Sequence, residues 1–285
     1  MIPRQYVLSA VVALIMSIII VHFGQPRSSV QTEKETSYER VMRTGTLRCG
    51  YGIIGLGTMK DPNTGELSGT VYEIVEAIGK ELNLKIDWAE EVPFKAIVEG
   101  LKTDRYDAVC VSIYARPNFM PHTEMTAPYY FVPINAYKRV GDDRFKTKAD
   151  IDKPEIKVSY QDGTIPAYIR AADFPNSGGL SLTDTEYSDI MMGVTTGKAD
   201  VTFVEPAVAQ QFIRNNPNQL DVVNEVSPLR VFPAVLAVKK GEHDLETMLS
   251  GTIRYLVLNG TVEKILQKYE QGDKLFLRAS TGYKE

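Results

Sequence analysis

Residues 71–113 read VYEIVEAIGKELNLKIDWAEEVPFKAIVEGLKTDRYDAVCVSI, and the periodicity of this stretch decides the fold. Val71, Ile74, Val75, Ile78 and Leu82 recur at steps of three and four, which predicts a helix over 71–84 with one apolar face. KIDWAEEV (85–92) is strand-like, and Phe94, Ile97, Val98 and Leu101 mark a second helix face. YDAVCVSI (106–113) is apolar enough for a strand buried on both sides, as is GTLRCGYG (45–52) upstream. Strands and helices alternating in this way imply a parallel sheet with helices on both faces.

The alternation resumes further on. IKVSY (156–160) reads as a strand, a helix starts near Thr164, and LSLTD (180–184) is the next strand. A helix carrying Tyr187, Ile190, Met191 and Val194 follows, then the strand DVTFVE (200–205), with Pro206 suited to the first turn of another helix. VFPAVLAV (231–238) closes the series, and two more helices follow it, the last being TVEKILQKYEQ (261–271) after the Asn259-Gly260 break. These last helices have no sheet of their own and belong against the first series. The chain must then cross between two lobes, near FVPINAYKR (131–139) and PLRVFPAVLAV (228–238). The expected architecture is α/β, two lobes around a hinged cleft. Residues 38–132 with 236–285 form lobe 1, and 133–235 form lobe 2. No internal repeat with a period of 20–50 residues is visible.

Composition fits that picture. The chain has 285 residues, 44% hydrophobic and 24% charged, which excludes disorder, collagen-like repeats and a disulfide-stapled mini-fold. Lys plus Arg number 32 against 36 Asp plus Glu, a net charge of −4, so no basic surplus exists to hold a nucleic acid. The first 27 residues contain no acid at all. Within them VLSAVVALIMSIIIVHF (7–23) is a 17-residue apolar run preceded by Arg4, the pattern of an export signal or membrane anchor. No A-x-A-like cleavage site follows, and no nearby Cys offers a lipid attachment point. The expectation is an uncleaved anchor tethering the protein to the inner membrane, with a cleaved signal as the alternative. Residues 1–27 are thus a signal or anchor segment and 28–37 a polar linker. The exported remainder, from residue 28, carries −6 and is expected in the periplasm.

Signals for covalent or metal chemistry are missing. His22, His122 and His243 share no ligand spacing, and CxxC, HExxH and GxSxG motifs are absent, so neither a metal nor a cofactor is expected. Cys49 and Cys110 sit in apolar strands and read first as small buried hydrophobes. A disulfide is the alternative if those strands are neighbours, since it needs Cα atoms about 4.4–6.8 Å apart. GYGIIGLG (50–57) lacks the context of a phosphate loop and reads better as a loop lining a cleft. More telling are polar residues at the C-terminal ends of strands, where open parallel sheets bind ligands. Ser112, Tyr114 and Arg116 end one strand, Gln161, Gly163 and Thr164 follow another, and Glu205 ends a third. A cation, a helix start offering backbone N–H groups and a carboxylate together suit a small zwitterion or polar acid. Tyr51 and Phe94 are candidate aromatic walls. Each residue alone also reads as a surface charge, a helix cap or core packing; their shared placement favours a ligand.

From about Tyr38 to Glu270 the chain resembles the family 3 solute-binding proteins of bacterial ABC importers, the polar amino-acid-binding type. The resemblance is carried in order by GTLRCGYG…GELSGTVYEIVEAIGKEL, GLKTDRYDAVCVSI, MTAPYYFVPINAYKR, VSYQDGTIPAYI, MMGVTTGKADVTFVEPAVA and LNGTVEKILQKYEQ. It implies a periplasmic-binding-protein type II fold that closes over a small polar or carboxylated solute and delivers it to membrane permease subunits. Gln161, Gly163 and Thr164 match the family's glycine-Thr turn for a ligand carboxylate. Glu205 stands where members usually carry an Asp for the ligand amine. Departures are clear: Thr58 replaces the usual aromatic after the first strand, and Phe119 takes the place of the carboxylate-binding Arg, with Arg116 three residues earlier. Val71 takes the place of the acid after the helix-opening glycine, with Glu73 nearby. A binding protein without enzymatic activity is the main expectation. The alternatives are an enzyme on the same scaffold, resembling cyclohexadienyl dehydratase with Glu205 as acid or base, and a membrane-anchored sensor or accessory protein.

Overall fold

The computed structural model describes residues 34–93, 96–115, 119–183 and 188–280. The architecture begins at Thr36, where the main compact unit starts. The expected anchor at 7–23 lies outside the described residues, as does most of the expected linker.

Helix α1 (Ser37–Thr44) opens with a capping box. The Thr36 hydroxyl accepts from the Glu39 N–H, and the Glu39 carboxylate accepts from the Thr36 N–H. The chain then runs through β1 (Thr46–Tyr51), the short strands β2 (Met59–Lys60) and β3 (Leu67–Ser68), α2 (Thr70–Leu82), β4 (Lys85–Glu91), α3 (Ile97–Lys102), β5 (Ala108–Tyr114), β6 (Thr123–Met125) and the long β7 (Tyr130–Arg139). Val71, Ile74, Val75 and Ile78 of α2 are completely buried, as their spacing requires. The second series contains α4 (Lys148–Ile151), β8 (Lys157–Gln161), α5 (Ile165–Asp173), β9 (Gly178–Leu182), α6 (Asp189–Thr195), β10 (Val201–Val204), α7 (Pro206–Asn215), β11 (Leu220–Val222) and the long β12 (Arg230–Lys239). Helices α8 (His243–Leu258) and α9 (Thr261–Glu270) and a short strand β13 (Leu277–Arg278) complete it.

The strands lie in the order β4-β1-β5-β12-β7-β10-β8-β9. β1 is parallel to both β4 and β5, and β8 is parallel to both β10 and β9, so two parallel trios flank an antiparallel central pair. The central strands change partner along their length. Tyr130–Ile134 of β7 pair with β12, and Asn135–Lys138 pair with β10. Arg230–Ala234 of β12 pair with β7, and its later residues pair with β5. Two strands shared in this manner give the expected two-lobed α/β fold with a hinge built from continuous backbone.

Helices α8 and α9 pack against α2 and bury Leu245, Leu249, Ile253, Leu256, Val262 and Leu266 in a core that includes α2 and β1 and runs on into the second series through Val158, Ile169, Phe174 and Phe203. A separate core in the second series gathers Tyr137, Ile190, Met191, Val194, Val204 and Phe212. Beyond α9 the chain is strapped onto β7. Leu277 pairs with Phe131, and Phe276 packs on the Tyr130 ring at 4.8 Å. Glu270, although buried, is fully used: Oε1 accepts the N–H groups of Leu275 and Phe276 at 3.0 Å each, and Arg278 pairs with Oε2 at 2.7 Å.

One expectation is corrected. Cys49 and Cys110 are not separate buried thiols but a disulfide, with Cα atoms 5.4 Å apart and both side chains inaccessible. The reason is topological: β1 and β5, distant in sequence, are adjacent parallel strands with Cys49 in register with Ala108.

Candidate ligand-binding cleft

Parallel sheets with right-handed crossovers expose the C-terminal ends of their strands at one edge, where loops are the only covering. Here those ends meet across a cleft of about 920 Å3. Gly52–Gly55 follow β1, Glu91 ends β4, Ser112 and Tyr114 end β5, Gln161 ends β8, and Thr164 precedes α5. Ser188 and Asp189 start α6, and Glu205 follows β10; all line the same space. Ile53, Ile165, Met191, Met192, Val208 and Phe212 supply apolar wall.

Glu205 is the N-cap of α7, with Pro206 in the first turn, and is only 7% exposed. Its carboxylate accepts a hydrogen bond from the Tyr114 hydroxyl at 2.7 Å. A negative charge here is favoured by the helix N-terminus behind it. Thr164 is the N-cap of α5, and its hydroxyl donates to the Gln161 carbonyl at 2.6 Å, closing the turn around Gly163, whose φ is 79°. That conformation is one glycine adopts at little cost. Ser112 Oγ lies 3.1 Å from the Tyr129 hydroxyl and 2.9 Å from that of Tyr130. Burial pushes both phenols up, so they remain neutral hydrogen-bonding partners at physiological pH. This network ties the cleft floor to the start of the hinge strand β7.

Of the residues expected at the site, Ser112, Tyr114, Gln161, Thr164 and Glu205 line the cleft. Gly163 shapes its turn without being among the lining residues. Tyr51 is buried and packs edge-on against Trp88 at 5.5 Å, so its ring belongs to the sheet covering and not to the wall. Phe94 and Arg116 lie outside the described residues. Thr58 is buried, and Glu73 is engaged by Lys268 and Tyr269 of α9 at 2.5 Å each, which makes it a helix-packing group. The sequence reading missed Glu91 and Asp189. Glu91 satisfies the strand-end rule that found Glu205; Asp189 opens the helix after β9. The glycine-containing loop after β1 lines the cleft as expected.

The balance of charge is one-sided. Glu91, Asp189 and Glu205 are all acidic, and no Lys or Arg occurs among the described residues lining the cleft. Glu91 at the edge is paired with Lys60 at 2.8 Å. No group of three or more His, Cys, Asp or Glu among the described residues is arranged to hold a metal ion.

A two-lobed α/β fold with an acidic, loop-lined cleft at its hinge defines a binding protein for small solutes. The chain belongs to the bacterial extracellular solute-binding proteins, family 3, whose family model matches residues 57–272. It is an extracytoplasmic solute-binding protein. It is similar to ABC transporter arginine-binding protein 1 of Escherichia coli K12, 24% identical over 207 residues covering 72% of this chain and 82% of that protein. It is likewise similar to the L-arginine-binding protein of Pseudomonas aeruginosa, 22% identical over 217 residues covering 74% and 82%. Among solved structures it superimposes on an ancestral amino acid-binding protein, a precursor of cyclohexadienyl dehydratase. The TM-score is 0.71 and the identity 23%, covering 82% of this chain and 99% of that one.

Proposed function

We propose that the cleft takes a cationic amino acid, or a related guanidine or amine, and that the protein hands it to an ABC-type permease. The observation that carries this reading is the convergence of Asp189 and Glu205 on a cleft whose described lining holds no Lys or Arg, with Glu91, paired to Lys60, at its edge. A cation entering such a cleft is attracted from a distance and met at Glu205 by a carboxylate largely shielded from water. The similar proteins from E. coli and P. aeruginosa are arginine-binding proteins, which points the same way. The turn Gln161–Gly163–Thr164 at the start of α5 is the candidate for the ligand's carboxylate, and Arg116 is a second candidate for that role. Lobe 1 comprises 38–132 with 236–285 and lobe 2 comprises 133–235, closing by hinge motion about β7 and β12. Residues 7–23 tether the protein to the inner membrane.

Binding without turnover is the favoured activity. The family match and the amino-acid-binding proteins the chain resembles support that reading, and the hydrogen bond from Tyr114 holds the Glu205 carboxylate as an acceptor for a ligand cation. The test is calorimetric titration of the protein with arginine, lysine, ornithine, agmatine, glutamine and glutamate. A cation is expected to bind, and at a hundredfold excess over its Kd to stabilise the fold by about 2.7 kcal/mol. Glu205→Ala is expected to lose about 3 kcal/mol of that binding energy, since it removes a shielded charged partner, while the circular dichroism spectrum stays unchanged. Glutamate binding more tightly than every cation would overturn the proposal. Consumption of prephenate or arogenate would favour the enzyme.

A further inference from the structure

We propose that Tyr114 is a positioning residue that latches the two sides of the cleft through Glu205 before any solute arrives. The latch deepens the reading of Glu205 as the carboxylate that meets the ligand cation, and rests on it for its functional meaning. Tyr114 ends β5, in the first parallel trio; Glu205 caps α7, just after β10 of the second. Their bond spans 91 positions in sequence at 2.7 Å and is buried at both ends, Tyr114 being 9% and Glu205 7% exposed. A hydroxyl-to-carboxylate bond shielded from water is among the stronger hydrogen bonds a protein makes.

The phenol ring is held in place from behind. It stacks on Phe232 of β12 with centroids 5.6 Å apart and planes 26° apart. Phe232 in turn meets the ring of Tyr168 on α5 at 6.4 Å. Arg230 lies over Tyr168 at 5.2 Å and is anchored by Asp173, whose Oδ2 accepts from Nε at 2.7 Å. The stack therefore starts in the first trio, crosses on a hinge strand and ends on a helix of the second. A second approach across the cleft supports the same closure: a Cβ on Gly55 would sit 3.1 Å from Val208 of α7.

Two consequences follow from this arrangement. The ligand-free protein spends part of its time closed, because Tyr114 and Glu205 favour that state without help. The Glu205 carboxylate is also held in one orientation by Tyr114 before a cation reaches it.

The test is a distance measurement in the full chain with no ligand added, between spin labels on the exposed positions Lys80 and Glu155, one in each lobe. Tyr114→Phe keeps the ring and its stack but removes the hydroxyl. It is expected to lower the ratio of closed to open populations roughly tenfold, the effect of losing one hydrogen bond to a charged group. Glu205→Ala should shift the ratio at least as far, and adding Tyr114→Phe to it should shift it no further, as expected when the tyrosine hydroxyl acts through Glu205. Unchanged distances in Tyr114→Phe, or additive shifts in the double variant, would refute the latch. Arginine added to Tyr114→Phe should restore the closed distance with weakened affinity. Failure of arginine to bind the unaltered protein would count against the proposed ligand class, while the ligand-free distances would still decide the latch.

Discussion

Gly50 on β1 and Gly100 on α3 face the same ring, that of Tyr106. A Cβ on either would overlap ring atoms that are almost fully buried and have nowhere to move. Tyr106 is pinned further by its hydroxyl, which donates to the Ile97 carbonyl, and burial pushes that phenol up to about 12. Gly100→Ala is therefore expected to destabilise the protein by about 1–3 kcal/mol, the usual penalty for overpacking, read as a lowered urea midpoint with unchanged slope. At this scale the sequence is informative wherever a polar residue ends an apolar strand: Ser112, Tyr114, Gln161, Thr164 and Glu205 all line the cleft. It failed where direction matters. Tyr51 and Gly52 are neighbours, yet only Gly52 lines the cleft, and composition says nothing about which way a ring turns. Asp189 carries no strand-end mark in the sequence, because it lines the cleft from the start of a helix and not from the end of a strand.

The terminal strap illustrates an element held by charge. α9 and β13 are joined by Arg278, which pairs with Glu263 at 2.6 Å and with Glu270 at 2.7 Å. Arg278 holds the Glu263 carboxyl below its ordinary value of 4.5, outweighing the opposing effect of burial. A carboxylate whose folded pKa is depressed stabilises the structure above its unfolded value and loses that contribution as pH falls through the folded one. Docking of residues 275–278 should therefore persist at neutral pH and weaken progressively below about pH 4.5. Hydrogen-exchange protection of the Phe276 amide should fall over that range, and in Arg278→Ala it should already be low at pH 7. The large elements were legible because each carries a period: α2 shows steps of three and four, and β1 and β5 are continuous apolar runs. β13 has only two residues and no period to read. β7 was read as a crossing and not as a strand, and it contains Pro133, a residue that usually argues against a place inside a sheet.

At the scale of the molecule, the disulfide is the feature that the sequence left open. It joins strands whose adjacency is a property of the whole sheet, and spans 61 positions. Closing a loop of that length lowers the entropy of the unfolded chain, a stabilisation of roughly 4 kcal/mol in chain-entropy accounting. Replacing both Cys49 and Cys110 by Ser should lower the unfolding free energy by a comparable amount, measured by urea titration against the oxidised protein. An equal midpoint in the two would show that the pairing adds nothing. The bond also agrees with a protein working outside the cytoplasm, where disulfides persist. The two-lobed plan was legible because two α/β series were followed by helices with no sheet to cover. The exact strands that cross were less so, because partner exchange along one strand leaves no local mark.

That partner exchange has a consequence for how such proteins diversify. Ile134 and Arg230 face each other in an antiparallel ladder, so residues 135–229 leave the two central strands at one point and return beside it. Antiparallel neighbours have Cα atoms only about 4.5–5.5 Å apart. To the rest of the chain the entire intervening segment is equivalent to a hairpin turn. It can be exchanged as a cassette with a single pair of adjacent joints, carrying Gln161, Thr164, Asp189 and Glu205 with it while Ser112 and Tyr114 stay behind. Such an exchange would replace one side of the cleft lining in a single contiguous piece of chain, the other side keeping its own residues.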